Sequence, residues 1–168
     1  SVGIVNGRPT NSGEWDGAVM VTGSDGTCDG TNICSGVFIH PEVVLTAGHC
    51  CPDGDIKAIC GGKSLPSTLL AVMNASYVDL GDLAEGGNNF CMLRLDRPVT
   101  TVPIYQISEP ADVADGDRAI VVGSGANNEA PPWAGVGTQR EGVVNINYVG
   151  GTKNLHILAR GIDGASVC

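Results

Sequence analysis

Cys34-Ser35-Gly36-Val37-Phe38-Ile39-His40-Pro41-Glu42-Val43-Val44-Leu45-Thr46-Ala47-Gly48-His49-Cys50 is the stretch on which the reading of this 168-residue chain turns. Two apolar runs, Val37 to Ile39 and Val43 to Leu45, flank a His-Pro-Glu turn, which predicts a β-hairpin with a cysteine near each end. The small residues Thr46-Ala47-Gly48 follow the second strand and lead straight to His49. A histidine held at the end of a buried strand beside a disulfide has a fixed ring orientation, which a general base requires and a surface histidine lacks.

Outward from this hairpin the composition agrees with it. Glycine is abundant, at 25 residues, aromatic residues are few, and no stretch keeps a helical period. That combination predicts an all-β chain of short strands joined by tight turns. The net charge of −9 is spread along the sequence, which argues against nucleic acid or an anionic membrane as a partner. No apolar run is long enough to span a bilayer as a helix. Ser1-Val2-Gly3 are not a signal peptide, and any such peptide is expected to have been removed already.

The seven cysteines are read as disulfides rather than metal ligands. There is no Cys-x-x-Cys pair, and His49-Cys50-Cys51 lacks zinc-ligand spacing, so neither a metal nor a cofactor is expected. Disulfides imply an oxidising compartment, making the chain secreted, periplasmic or cell-surface. Asn74-Ala75-Ser76 is an N-glycosylation acceptor pattern, compatible with secretion and without meaning in a bacterium.

Along the chain, strands are predicted over residues 15–22, 56–60, 69–77, 119–122, 139–146 and 155–159 besides the hairpin. The polar insertion 23–32, the Asp- and Gly-punctuated stretch 79–87 and the tail 161–168 read as loops. Residues 97–117 carry Pro98, Pro103 and Pro110 with few strand signals and form the natural connector between two halves. Two halves of similar strand content suggest two packed barrels.

Cys-Ser-Gly, two apolar strands and then Thr-Ala-Gly-His-Cys resemble the catalytic-histidine region of chymotrypsin/trypsin-like serine proteases. The resemblance implies the Greek-key double β-barrel of that family, with residues 1–102 as the first barrel and 103–168 as part of the second. It implies His49 as the general base and a disulfide between Cys34 and Cys50. Cys28, Cys51, Cys60 and Cys91 then allow three connectivities, of which Cys28 with Cys51 and Cys60 with Cys91 is the favoured one. Cys168 is left without a partner.

Three further motifs bear on the chemistry. Ile4-Val5-Asn6-Gly7 looks like the mature N-terminus of a trypsin-like protease. In that family a freed ammonium on the isoleucine orders the substrate pocket. Because Ser1-Val2-Gly3 precede Ile4, the resemblance implies either a zymogen-like state or a member without this switch; a plain terminus leading into a first strand is the simpler alternative. Asn88-Asn89-Phe90-Cys91-Met92-Leu93-Arg94-Leu95 resembles the strand that carries the triad aspartate, whose place is taken by Asn89. An amide carries no charge, and its NH2 can donate to the histidine and fix the wrong tautomer. Asp79, Asp82 and Asp96 are the nearby acids, and Asp96 is about 23 Å from Asn89 along an extended strand.

Gly161-Ile162-Asp163-Gly164-Ala165-Ser166-Val167-Cys168 resembles the approach to the nucleophile motif Gly-Asp-Ser-Gly-Gly, which is absent from the 168 residues. In the family a cysteine comes four residues before the catalytic serine, so the sequence stops short of it. Ser166 matches the base of the primary specificity pocket, where a neutral side chain implies apolar or aromatic residues at the cleaved position. The implied function is a secreted serine endopeptidase acting on peptides or proteins. It is expected to be inactive or severely impaired as written, with a second barrel completed by a C-terminal chain for which Cys168 is the candidate link. The alternative is a pseudoprotease retained as a binding or regulatory module.

Overall fold

The computed structural model describes residues 4–23, 25–28, 30, 32–51, 56–65, 67–80, 89–128, 132, 134–150, 156–161 and 166–167; at 77–80, 89, 110, 148–150, 156–161 and 166–167 it describes the backbone alone. The strands are β1 (Ile4–Val5), β2 (Arg8–Pro9), β3 (Ala18–Thr22), β4 (Cys34–His40), β5 (Val43–Ala47), β6 (Ala58–Gly61), β7 (Thr68–Leu80), β8 (Asn89–Leu95), β9 (Arg118–Gly123), β10 (Arg140–Gly150), β11 (His156–Gly161) and β12 (Ser166–Val167). Among the described residues, the single 3-10 turns Gly48–Cys50 and Pro110–Asp112 interrupt them. The all-β expectation holds.

β4 and β5 form the expected hairpin, with Gly36 opposite Thr46 and Val37 opposite Leu45. Side chains on successive residues point to opposite faces of a sheet. Gly36, Phe38, Val44 and Thr46 are accordingly buried in the barrel, whereas Val37 and Leu45 lie half-buried on the other face. The apolar run is nearly continuous because both faces are covered. A Cβ built on Gly36 would lie 2.7 Å from Val44 Cγ1 and 2.9 Å from Val21 Cγ2. That close approach explains the glycine of the Cys-Ser-Gly motif.

The hairpin is part of a closed barrel in the order β3-β4-β5-β8-β7-β6. Phe38, Val44, Val21, Ile59 and Leu93 fill it, all of them without solvent exposure. The remaining strands build the second half. One edge of β10 pairs with β9 from Gly123 opposite Arg140 to Arg118 opposite Asn145. Its other edge carries β2 at Arg140 and Glu141 and then β11 from Val144 onward. β1 pairs with β12, Ile4 opposite Val167 and Val5 opposite Ser166.

Pairing partners, rather than local sequence, set several element ends. Ser166–Val167 lies in the expected tail loop and is a strand because β1 pairs with it. β7 runs to Leu80, past the expected end, because β8 pairs with it as far as Asn89. Trp15 falls outside β3, in a turn with φ of 51°. Ile56 makes an isolated bridge with Asp25 and β6 starts at Ala58.

Among the described residues three disulfides form: Cys34–Cys50, Cys28–Cys60 and Cys51–Cys91. The favoured pairings Cys28–Cys51 and Cys60–Cys91 are therefore wrong. Strand order gives the reason: β7 lies between β6 and β8, so Cys60 and Cys91 are not on neighbouring strands. Cys60 instead faces Met20 on β3, whose following loop brings Cys28 to it, and Cys91 faces Thr46 on β5, whose continuation brings Cys51.

Gln139 joins the two halves. It is only 2% exposed, although the sequence reads it as the start of a strand with one wet face. Its Nε2 donates to the Ala18 carbonyl at 2.7 Å, while its Oε1 accepts from Thr10 Oγ1 at 2.6 Å and from Lys63 Nζ at 2.9 Å. Nearby, Arg8 spans Glu14 at 3.1 Å and Glu141 at 2.6 Å, and the Glu141 carboxylate also accepts from Trp15 Nε1. The Asn11 amide, and after it Arg8, hold the Glu14 carboxyl down at about 2. Those ion pairs are exposed and stabilise little, whereas a buried amide leaves its partners stranded when removed. Gln139→Leu is expected to destabilise the chain by about 2–4 kcal/mol in urea unfolding, from unsatisfied buried polar groups. A change below about 1 kcal/mol would contradict this role.

Candidate functional site

His49 occupies the middle of the 3-10 turn that follows β5 directly. Ala47 is still extended, and the turn closes where the Cys51 N–H donates to the Gly48 carbonyl at 3.0 Å. Gly48 and Cys50 on either side are buried, so the exposed His49 is presented outward at the rim of the barrel. A ring nitrogen of His49 and the sulfurs of Cys34 and Cys50 all lie within 4.8 Å of one another. The sulfurs are consumed in a disulfide and do not serve as thiolate metal ligands.

β8 reaches the same rim. Cys91 pairs with Thr46 and Phe90 with Ala47, so Asn89 is the next residue outward, beside the turn that carries His49. On its other side Asn89 pairs with Leu80 of β7, and the turn packs against both strands. The Asn89 side chain lies outside the described atoms.

Of the other acids near Asn89 in sequence, Asp79 is on β7 opposite Phe90 rather than in a loop, and Asp82 lies outside the described residues. Asp96 is at the far end of β8, where it accepts from the Val72 N–H at 2.9 Å and from Arg97 at 3.2 Å.

Ile4 is buried, 4% exposed, and its strand places it across from Val167 and next to the Val5–Ser166 pair. These two predicted site residues thus come together, in a sheet separate from the barrel that carries His49 and Asn89. The Ser166 side chain and Cys168 lie outside the described atoms. Asn74, of the acceptor pattern, is exposed on β7 at a register shift between Met73 and Ala75.

Sequence reasoning missed a cleft of about 520 Å³ between the barrel and β9, lined by Trp15, Val37, Leu45, Phe90, Tyr105 and Ile120 among others. Ile120 is 50% exposed and Phe90 37%. Among the described residues β9 pairs with β10 alone. The signal was present in the unbroken apolar runs of the hairpin, since a strand with one solvated face alternates. Tyr105 gave none, because it sits in the proline-rich connector and is placed by donating its N–H to the Phe38 carbonyl.

The family model described as Trypsin matches residues 4–151. Human Granzyme M is 29% identical over 113 residues, covering 60% of this chain and 43% of that protein. The chain thus spans less than half the length of that relative. Two solved structures share the fold. One is mouse neuropsin, described as a serine protease, with a TM-score of 0.71 at 16% identity over 95% of this chain and 75% of that one. The other is a scabies mite inactivated protease paralogue, with a TM-score of 0.67 at 17% identity over 86% of this chain and 63% of that one. No helix among the described residues is long and apolar enough to cross a membrane.

Proposed function

We propose a function for this chain, which belongs to the trypsin family: it is the histidine-bearing part of a serine endopeptidase that hydrolyses peptide bonds outside the cytoplasm. The observation that carries the reading is the exposed His49, set on a disulfide-held turn at the barrel rim beside the start of β8. Three formed disulfides support an oxidising compartment, secreted or periplasmic.

In this reading His49 takes the proton of a serine hydroxyl as its oxygen attacks the substrate carbonyl carbon, then returns the proton to the leaving amine. Asn89 occupies the position that orients His49. Lacking a charge, it stabilises the developing imidazolium poorly, so the protein as written is inactive or severely impaired. Ser166 leaves the specificity pocket neutral at its base and selects apolar or aromatic side chains. Ile4 belongs to the segment that orders this pocket, as its pairing beside Ser166 favours.

Residues 1–102 and 103–168 act as the two parts of one protease-like unit, with β1 and β2 crossing over to pair with strands of the second part, which is completed by a C-terminal chain that carries the serine and is linked through Cys168. The edge of β9 that is unpaired among the described residues and the apolar cleft beside it support an added strand there, since such an edge beside exposed apolar side chains is a template for pairing. Mass measurement of the protein purified from its source, with and without reductant, is expected to show a larger disulfide-linked species that splits on reduction. A single species of 17.1 kDa in both would contradict the linked chain.

The second reading is a pseudoprotease acting as a binding or regulatory module, favoured by Asn89. A serine-directed fluorophosphonate probe on the complete protein, compared with Asn89→Asp, separates the two. Labelling that appears or rises in the variant supports the endopeptidase, and none in either supports the binding module.

A further inference from the structure

His49 is followed by two cysteines, and each is bonded to a different strand. β5, which delivers the turn, lies in the barrel between β4 and β8. Cys50 is bonded to Cys34 at the start of β4, on one side of β5; Cys51 is bonded to Cys91 on β8, on the other. The turn itself has no side-chain cap at its N-terminus. One disulfide alone leaves such a turn free to pivot about its single anchor. Two anchors on consecutive residues, pulling toward opposite neighbours of β5, remove that freedom. Cys91 is fully buried and Cys51 is 7% exposed, so the second anchor is itself set in the packed core. It also lies two residues from Asn89, so the bond that fixes the histidine turn fixes it to the strand that brings the orienting residue.

We propose that Cys51 and Cys91 are positioning residues, whose disulfide triangulates the His49 turn between β4 and β8 and so sets the imidazole against the start of β8. The inference rests on reading His49 as the base, but its test does not depend on activity. Cys28–Cys60 supplies the control: it closes a segment of 32 residues where Cys51–Cys91 closes 40, and it also anchors a fully buried cysteine, on β6 rather than β8. A chain-entropy effect on overall stability is therefore similar for the two bonds.

The experiment is nuclear magnetic resonance of the His49 ring in the complete protein, assigned through His49→Gln. It compares the parent with Cys51→Ala/Cys91→Val and with Cys28→Ala/Cys60→Val. The readout is the set of Overhauser contacts from the ring protons to the amide and α-protons of Asn89 and Phe90 at the start of β8, the side that the Cys51–Cys91 bond secures. The Cys51/Cys91 variant is expected to lose most of their intensity and the Cys28/Cys60 variant to keep it. Equal loss in both variants, or retention in both, overturns the proposal. Global unfolding of the Cys51/Cys91 variant alone also overturns it, since the bond would then staple the whole barrel rather than position one turn. Failure of the endopeptidase reading is seen separately, as absence of probe labelling with the ring contacts intact.

Discussion

Asn89→Asp in the complete protein is expected to raise peptide hydrolysis by about ten-thousand-fold, the size of the reverse change in the general template of the serine-histidine-aspartate triad. In barrier terms that is about 5.4 kcal/mol. An amide at this position has the shape of a carboxylate but not its charge. It leaves the imidazolium of the transition state uncompensated, and its NH2 holds the ring nitrogen that faces it as an acceptor, so the nitrogen facing the serine carries the proton and cannot act as a base. A carboxylate reverses both effects at once. The register of β8 against β5 puts residue 89 one step beyond the Phe90–Ala47 pair, at the rim where the His49 turn begins, so the substitution needs no rearrangement of the backbone. The check is kcat with an apolar peptide substrate. An effect below about tenfold would mean that the charge is not what the site lacks.

Phe38→Ala is expected to cost about 3–5 kcal/mol of stability. Phe38 is fully buried, among the largest side chains with no exposure, and it packs in the barrel cluster with Val44, Ile59 and Leu93. Its removal leaves a cavity between strands held in a closed ring, which cannot collapse as an open sheet can. With total stabilities of about 5–15 kcal/mol for ordinary domains, a loss of this size takes a large share. At about 2 kcal/mol per molar of urea, the midpoint is expected to fall by about 1.5–2.5 M. Ile120→Ala, on the half-exposed face of β9, serves as the comparison and is expected to move it by much less. Equal shifts for the two would contradict the placement of the core.

The hairpin was legible because its two apolar runs, its turn and its small residues are all local. The register Gly36 to Thr46 and Val37 to Leu45 follows from them. What the sequence could not show was the order of strands around the barrel, because that is decided by contacts between distant segments. The disulfides illustrate it: Cys28, Cys51, Cys60 and Cys91 have no local preference, and only the placing of β7 between β6 and β8 selects Cys28–Cys60 and Cys51–Cys91. The same holds for Gln139, a polar residue whose four partners come from the N-terminal loop, β3 and Lys63. Of the site, His49 and Asn89 were named by motif, and the register now sets their backbones at one rim. The cleft beside β9 went unnoticed because its lining is drawn from six separate stretches of chain.

The role of His49 as the base for a serine in a trypsin-family site is tested most directly by the rate of fluorophosphonate labelling of the complete Asn89→Asp protein, with and without His49→Ala. Rapid labelling that His49→Ala abolishes is expected. Labelling that persists without His49, or no labelling with aspartate at position 89, would contradict it.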